Sequence, residues 1–227
     1  IEFLKQSGGR RILGSILPEI IRTEDAIRSF PEVEEVVVAG SVRRRKETIG
    51  DIDILVASEM PDKVTAEFLA LPFIAHVYGS GPTKTNVKLK NGLDADLRVV
   101  HKKSWGAALN YFTGSKDHNI ALREIAIKKG MKLNEYGLFK GEKFVAGRTE
   151  EELYASLGLS YIEPELREMT GEIEASRENK LPKLVRYGDL LGDLQVQTNW
   201  TDGKNSIEEM AEAAIEVGLQ YIAITDH

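Results

Sequence analysis

Gly40-Ser-Val-Arg-Arg-Arg-Lys-Glu-Thr-Ile-Gly-Asp-Ile-Asp53 is the stretch on which the reading of this chain turns. It follows one apolar run, Val33–Ala39, and continues into another, Ile52–Ala57; the first is rich in β-branched residues and is expected as a buried strand. Asp51 and Asp53 stand two residues apart in an expected strand, so both side chains project from one face. Upstream, Gly40-Ser41 and the basic run Arg43–Lys46 sit where one strand turns into a short helix. The segment thus combines a pair of acids suited to a hard cation with a site for anionic oxygens.

Outward from this segment the chain reads as alternating elements. An amphipathic helix is expected over Leu17–Ser29, ending at Phe30-Pro31, after a basic, Gly-punctuated lead-in over Ile1–Arg11. A helix over Pro61–Ala70 and a strand over Phe73–Tyr78 follow. Thr85–Lys90 and Leu93–Val100 flank Asn91-Gly92, which predicts a two-residue hairpin. Its second strand presents Asp94, Asp96 and Arg98 on one face, so a third carboxylate can arrive beside Asp51 and Asp53. Ser104–Phe112 and Lys116–Lys129 read as helices parted by Thr113-Gly114-Ser115, with Asn119 and Arg123 one turn apart on the second. Short strands are expected over Met131–Phe139 and Glu142–Val145, and Thr149 with Glu152 marks a helix start with a capping-box acid. Ser160–Tyr187 reads as a linker, and Asp193–Val196, Ser206–Val217 and Tyr221–Thr225 as a final strand-helix-strand unit.

Length and composition (227 residues, 42% hydrophobic, 29% charged) suit one large domain or two ordinary ones, with no apolar run long enough for a bilayer. The absence of cysteine excludes disulfides and thiolate metal sites and fits a reducing compartment. The first residue, Ile1, and the abrupt stop at His227 suggest a fragment. Net charge is −6, yet residues 81–133 hold eleven Lys and Arg against four Asp and Glu, whereas residues 134–227 hold nine against nineteen. A basic middle beside an acidic end suits a polyanionic partner that the whole-chain charge hides. Nucleotidyl transfer needs the charge of the transferred phosphate neutralised and a hydroxyl activated, which two Mg²⁺ ions about 3.5–4 Å apart achieve on a set of carboxylates. Asp51 and Asp53 would bridge the ions, and Asp96 would bind the one that activates the hydroxyl. Gly50 permits close backbone approach. Gly40-Ser41 would supply amide and hydroxyl donors, and Arg44 a charge for a triphosphate.

Gly40-Ser41 and Gly50-Asp-x-Asp53 resemble the signature of the nucleotidyltransferase superfamily. Asp96-Leu-Arg98, Tyr111-Phe-Thr-Gly-Ser115 and Lys132-Leu-Asn-Glu-Tyr136 follow in the order of the family X DNA polymerases, so the resemblance covers about residues 1–180. It implies that Asp51, Asp53 and Asp96 are the catalytic metal ligands, for two Mg²⁺ ions with Mn²⁺ as substitute. It also implies that Ser41, Arg44 and Gly50 contact the triphosphate and that Tyr111, Phe112, Gly114 and Asn119 hold the nucleotide. Thr83, Lys84, Arg98 and Arg123 would contact DNA. Lys116 and Asp94 depart from the family pattern. Arg43, Arg45 and Lys46 are expected to be solvated or general DNA contacts, and His76, His101 and His118 surface or hydrogen-bonding residues, with His118 near enough to Asn119 to touch template.

Gly192-Asp-Leu, Thr201-Asp-Gly203 and Ile224-Thr-Asp-His227 resemble the start of a polymerase-and-histidinol-phosphatase (PHP) domain. Gln195 and Gln197 stand where active members carry a His-x-His pair, and an amide binds a transition metal far more weakly than imidazole. The expected fold is α+β: a palm with a mixed sheet and flanking helices over 1–130, a thumb-like subdomain and linker over 131–180, and a truncated PHP βαβ unit over 181–227. The expected activity is template-directed addition of dNTPs to a primer 3′-hydroxyl on gapped DNA, by a monomer in a prokaryotic cytosol, with no membrane partner. The rivals are a template-independent or RNA-tailing nucleotidyltransferase and a non-catalytic DNA-binding module.

Overall fold

The computed structural model describes residues 9–227, so the lead-in up to Gly8 lies outside the described residues. By contacts the chain divides into one unit ending at Leu181 and another running from Pro182 to His227. No helix among the described residues is long and apolar enough to cross a membrane.

The first unit is built on a five-stranded mixed sheet of β2 (Glu35–Val38), β4 (Asp51–Ala57), β5 (Ile74–Ser80), β6 (Lys84–Leu89) and β7 (Asp94–Val100), in the order β2-β4-β7-β6-β5. The β4 and β7 strands run parallel and all other pairs antiparallel. The β1 (Arg11–Ile12) and β3 (Thr48–Ile49) segments form a separate two-stranded ladder. Period-two alternation assigns the faces. Ile52, Ile54 and Val56 of β4 join Ala95, Leu97 and Val99 of β7 in a core closed by α1 (Leu13–Arg28) and α3 (Pro61–Leu69). On the opposite face Leu55 and Ala57 pack under Trp105, Ala108 and Leu109 of α4 (Trp105–Thr113). Asp51 and Asp53 occupy the other end of that same face. One β4 face is therefore apolar under the helix and acidic beyond it.

The α1 helix starts at Leu13 rather than Leu17 and carries Pro18 inside it. Its buried stripe of Ile16, Ile20, Thr23 and Ile27 extends the apolar face by a turn, and that packing outweighs the hydrogen bond proline removes. The hairpin loop has three residues, not two. Leu89 N–H donates to the Leu93 carbonyl (2.8 Å), enclosing Lys90–Gly92 with Gly92 at φ +89°, a type I turn with a Gly bulge. The run expected as one strand over Met131–Phe139 breaks at a turn into β8 (Lys132–Asn134) and β9 (Gly137–Lys140), which form a meander with β10 (Lys143–Ala146).

A second core gathers Leu122 of α5 (Lys116–Lys128), Leu138, and Leu153 and Leu157 of α6 (Glu150–Leu157). Thr149 caps α6, its hydroxyl accepting from Glu152 N–H (3.1 Å), but the Glu152 carboxylate reaches Gly147 and Arg148 N–H instead of closing a capping box. Ser160–Leu181 is no linker. Ile162 and Arg167 are fully buried, and α7 (Glu172–Arg177) seats Ile173 in the second core. Its charges and Pro164 concealed this, because Arg167, Glu168 and Glu172 meet partners supplied by other elements.

Gly106 lies where α4 meets the segment ahead of α6. Its N–H donates to the Arg148 carbonyl (3.1 Å), and a Cβ there would stand 2.1 Å from the Thr149 carbonyl carbon. Backbone cannot yield as a flexible side chain can. Gly106→Ala is expected to destabilise the chain by about 1–3 kcal/mol in urea unfolding; a change within about 0.5 kcal/mol, as at an indifferent surface position, would refute the close approach.

The second unit holds β11 (Gly192–Val196), α8 (Ile207–Glu216) and β12 (Tyr221–Ile224), with the strands parallel. Ser206 caps α8 in a full capping box with Glu209.

Candidate active site

Register fixes the acids. In the parallel β4/β7 pair Asp51 stands opposite Asp94 and Asp53 opposite Asp96, so the third carboxylate enters from the neighbouring strand. Asp53 is half-buried, and its carboxyl is raised to about 6 by burial first, then by Asp51 and Asp96, against the pull of Arg44 and Arg98. Gly40 opens α2 (Gly40–Arg43) at φ +57°, and a Cβ there would stand 2.1 Å from Asp53 Oδ2. Only glycine permits this approach of the helix N-terminus to the acid.

One cleft of about 430 Å³ brings together most of the residues that the sequence singles out. Asp51 and Asp53 line it with Gly40, Ser41 and Arg44, and Tyr111, Phe112, Gly114, Asn119 and Arg123 complete it. Tyr111 is exposed and meets Phe112 edge to face at 5.1 Å. The Asn119 amide donates to the Tyr111 carbonyl (2.7 Å), tying the first turn of α5 to the last turn of α4. Gly50, Thr83, Lys84, Asp96 and Arg98 do not line the cleft. Gly50 immediately precedes Asp51. Thr83 accepts from Val99 N–H (3.1 Å), Lys84 stands opposite Arg98, and the Arg98 guanidinium lies 5.3 Å from the Phe112 ring centroid.

Arg44 is held rather than free: its Nε donates to Glu168 (2.8 Å) and its Nη1 to the Thr113 carbonyl. Lys46 joins the same carboxylate at 3.4 Å. Burial opposes ionisation of Glu168, but the two cations hold its carboxyl below the usual range. Glu168 gives no signal in sequence, because its partners are more than a hundred residues away.

Two expectations are corrected. Arg43 is no solvated or general DNA contact; it makes a two-pronged pair with Glu150 (3.0 and 2.7 Å) and donates to Thr113 Oγ1 (2.8 Å). His118 has no exposed surface to offer a template. It bonds Glu172 through Nδ1 and Tyr154 OH through Nε2, each at 2.8 Å, and burial lowers its pKa. Its hydrogen-bonding role is as expected, while His76 and His101 are exposed.

Three carboxylates on adjacent strands, one of them destabilised by its neighbours, suit a hard divalent cation. Among the described residues no group of three His, Asp or Glu side chains is already gathered as a metal cluster. Asp96 instead accepts a hydrogen bond from Asn86.

The first unit thus has a palm-like mixed sheet with flanking helices and a second compact core. A family model, DNA polymerase beta thumb, matches residues 108–168. Polymerase beta of Leishmania infantum, solved as a ternary P/T complex, has a similar fold (TM-score 0.62, 24% identity, 70% of this chain and 77% of that one). DNA polymerase/3′-5′ exonuclease PolX of Bacillus subtilis is 40% identical over 208 residues, which is 90% of this chain but 36% of that protein. Repair DNA polymerase X of African swine fever virus is 31% identical over 144 residues, covering 59% of this chain and 82% of that protein. The chain belongs to the family X DNA polymerases. It spans about a third of the length of the bacterial relative and most of the viral one.

Proposed function

We propose that this chain catalyses template-directed addition of dNTPs to a primer 3′-hydroxyl, filling short gaps in DNA. The observation that carries the reading is one cleft shared by Asp51 and Asp53, by Gly40, Ser41 and Arg44, and by Tyr111 and Phe112. Asp51, Asp53 and Asp96 would hold two Mg²⁺ ions, or Mn²⁺ in their place. Such ions, when bound, neutralise the transferred phosphate and lower the pKa of the attacking hydroxyl.

The chain's own residues supply the rest. Ser41, the helix N-terminus at Gly40 and the backbone at Gly50 receive the triphosphate, with Arg44 charged beside it. Tyr111, Phe112 and Gly114 hold sugar and base, and Asn119 the minor-groove edge. Thr83, Lys84, Arg98 and Arg123 contact the DNA strands. In this reading the α-phosphorus is attacked in line and pyrophosphate leaves. The chain acts as a monomer in a prokaryotic cytosol; 40% identity to a bacterial relative supports that setting. For the second unit we carry the PHP likeness on the approach of Gln197 (3.2 Å) and Asp202 (2.9 Å) to His227.

Primer extension on gapped DNA, compared with and without a template strand, tests the assignment. The expected result is incorporation dictated by the template base and dependent on Mg²⁺ or Mn²⁺. Equal incorporation without template would favour the tailing rival, and none under any metal the non-catalytic module.

A further inference from the structure

The acids of β7 do not stand alone on their face of the sheet. In the antiparallel β6/β7 pair, Asn86 is opposite Asp96 and Lys88 opposite Asp94. The Asn86 amide donates to Asp96 Oδ1, while Asp94 takes hydrogen bonds from Tyr78 OH (3.0 Å) and Lys88 (3.2 Å). Register continues this row across three strands as Asp53, Asp96, Asn86, and then to Gly79 on β5. At Gly79 nothing lies within 4 Å of a would-be side chain, so nothing crowds Asn86 from that side.

A carboxylate on a sheet face can rotate about its Cβ–Cγ bond and offer either oxygen. An amide donor on one oxygen removes that freedom and leaves the second for another partner. An amide also does so without adding charge. A cation at residue 86 would compete with a metal for Asp96, as Lys88 occupies Asp94, and a carboxylate would add a fourth negative charge to an already strained set. Carboxylates that ligate metals are themselves oriented by such outer hydrogen bonds.

We propose that Asn86 is a positioning residue for the reaction: it holds Asp96 with Oδ1 engaged and Oδ2 presented toward Asp53 and the primer terminus. The inference rests on the assignment of Asp96 above and names what sets its geometry. Asn86 touches neither substrate nor metal, and acts only through Asp96.

The test uses the chain as it stands, with three variants: Asn86→Ala, Asn86→Gln and Asp96→Ala. Mn²⁺ affinity is read by electron paramagnetic resonance without DNA, and kcat and KM for dNTP by primer extension. Asn86→Ala is expected to weaken Mn²⁺ binding and lower kcat by about 10–100-fold each, the usual cost of removing an outer-sphere partner. KM for dNTP and the thermal midpoint should stay near the parent's, and Asn86→Gln, which keeps the amide, should recover part of both losses. Unchanged Mn²⁺ affinity and kcat in Asn86→Ala overturns the proposal, as does a loss that simply follows a lowered thermal midpoint. Full activity in Asp96→Ala would instead overturn the assignment of Asp96, and the role of Asn86 with it.

Discussion

Asp53→Ala is expected to abolish primer extension while leaving the chain folded. Metal-assisted charge stabilisation supplies several kcal/mol to a phosphoryl centre, and at about 1.4 kcal/mol per factor of ten its loss is about 10³-fold or more in kcat. Stability should move the other way. Burial and two neighbouring acids penalise the charge of the Asp53 carboxyl and push its pKa up from 3.8 to about 6. A carboxyl raised on folding contributes stability that is fully present below its unfolded value and is lost as pH rises through the folded one. Its ionisation therefore weakens the metal-free fold as pH climbs from about 4 to about 6. Asp53→Asn, nearly isosteric, should lack that slope and melt higher than the parent at neutral pH without divalent metal. Extension surviving in Asp53→Ala would sink the assignment. A lower melting point for Asp53→Asn would show that the acids are not in mutual repulsion.

The largest expected effect on stability comes from Glu150. Its side chain is 4% exposed and receives two bonds from Arg43 (2.7 and 3.0 Å), one from Arg167 Nη1 (2.6 Å) and one from Tyr161 OH (3.3 Å). Arg167 has no exposed surface, and its guanidinium also lies over the Tyr154 and Tyr161 rings. Burial by itself would raise the Glu150 carboxyl, but the two guanidinium groups hold it below the usual range. Removing one partner of such a set leaves a buried charge uncompensated, so Glu150→Ala is expected to destabilise by about 3–5 kcal/mol. At about 2–4 °C per kcal/mol for a chain of this size, the thermal midpoint should fall by roughly 10 °C. Thermal and urea unfolding read the loss directly. A loss below about 1 kcal/mol, the value of an exposed pair, would mean that water reaches Arg167 in solution. The same set links Arg43, next to Arg44 and the Gly40-Ser41 helix start, to residues 150 and 167.

Local rules made much of this legible. Alternation at Asp51/Asp53 and at Asp94/Asp96/Arg98 needs only the period of a strand, and both sets fall on the expected face. Thr149 was readable as a cap because a cap and its target amide lie within three residues. The failures share a cause. Arg43 looked like one more basic residue in a run of four, and nothing nearby indicated a carboxylate 107 positions away. Ser160–Leu181 looked like a linker because its charges and Pro164 mimic one, whereas Arg167 and Glu172 meet partners supplied by other elements. His118 shows the same effect, with Glu172 and Tyr154 closing around it.

The sequence by itself determined that three acids, a Gly-Ser helix start and a Tyr-Phe-Thr-Gly-Ser loop belong to this chain in that order. It also determined which strand face each acid takes, since that depends only on backbone period. Tertiary structure decided what each charge meets. It set Asp53 against Asp96 by parallel register, gave Arg44 to Glu168 and Arg43 to Glu150, and placed an amide rather than a cation against Asp96. Those outcomes depend on which distant strands and helices become neighbours, and the energy of a charge depends on its neighbours more than on its own identity.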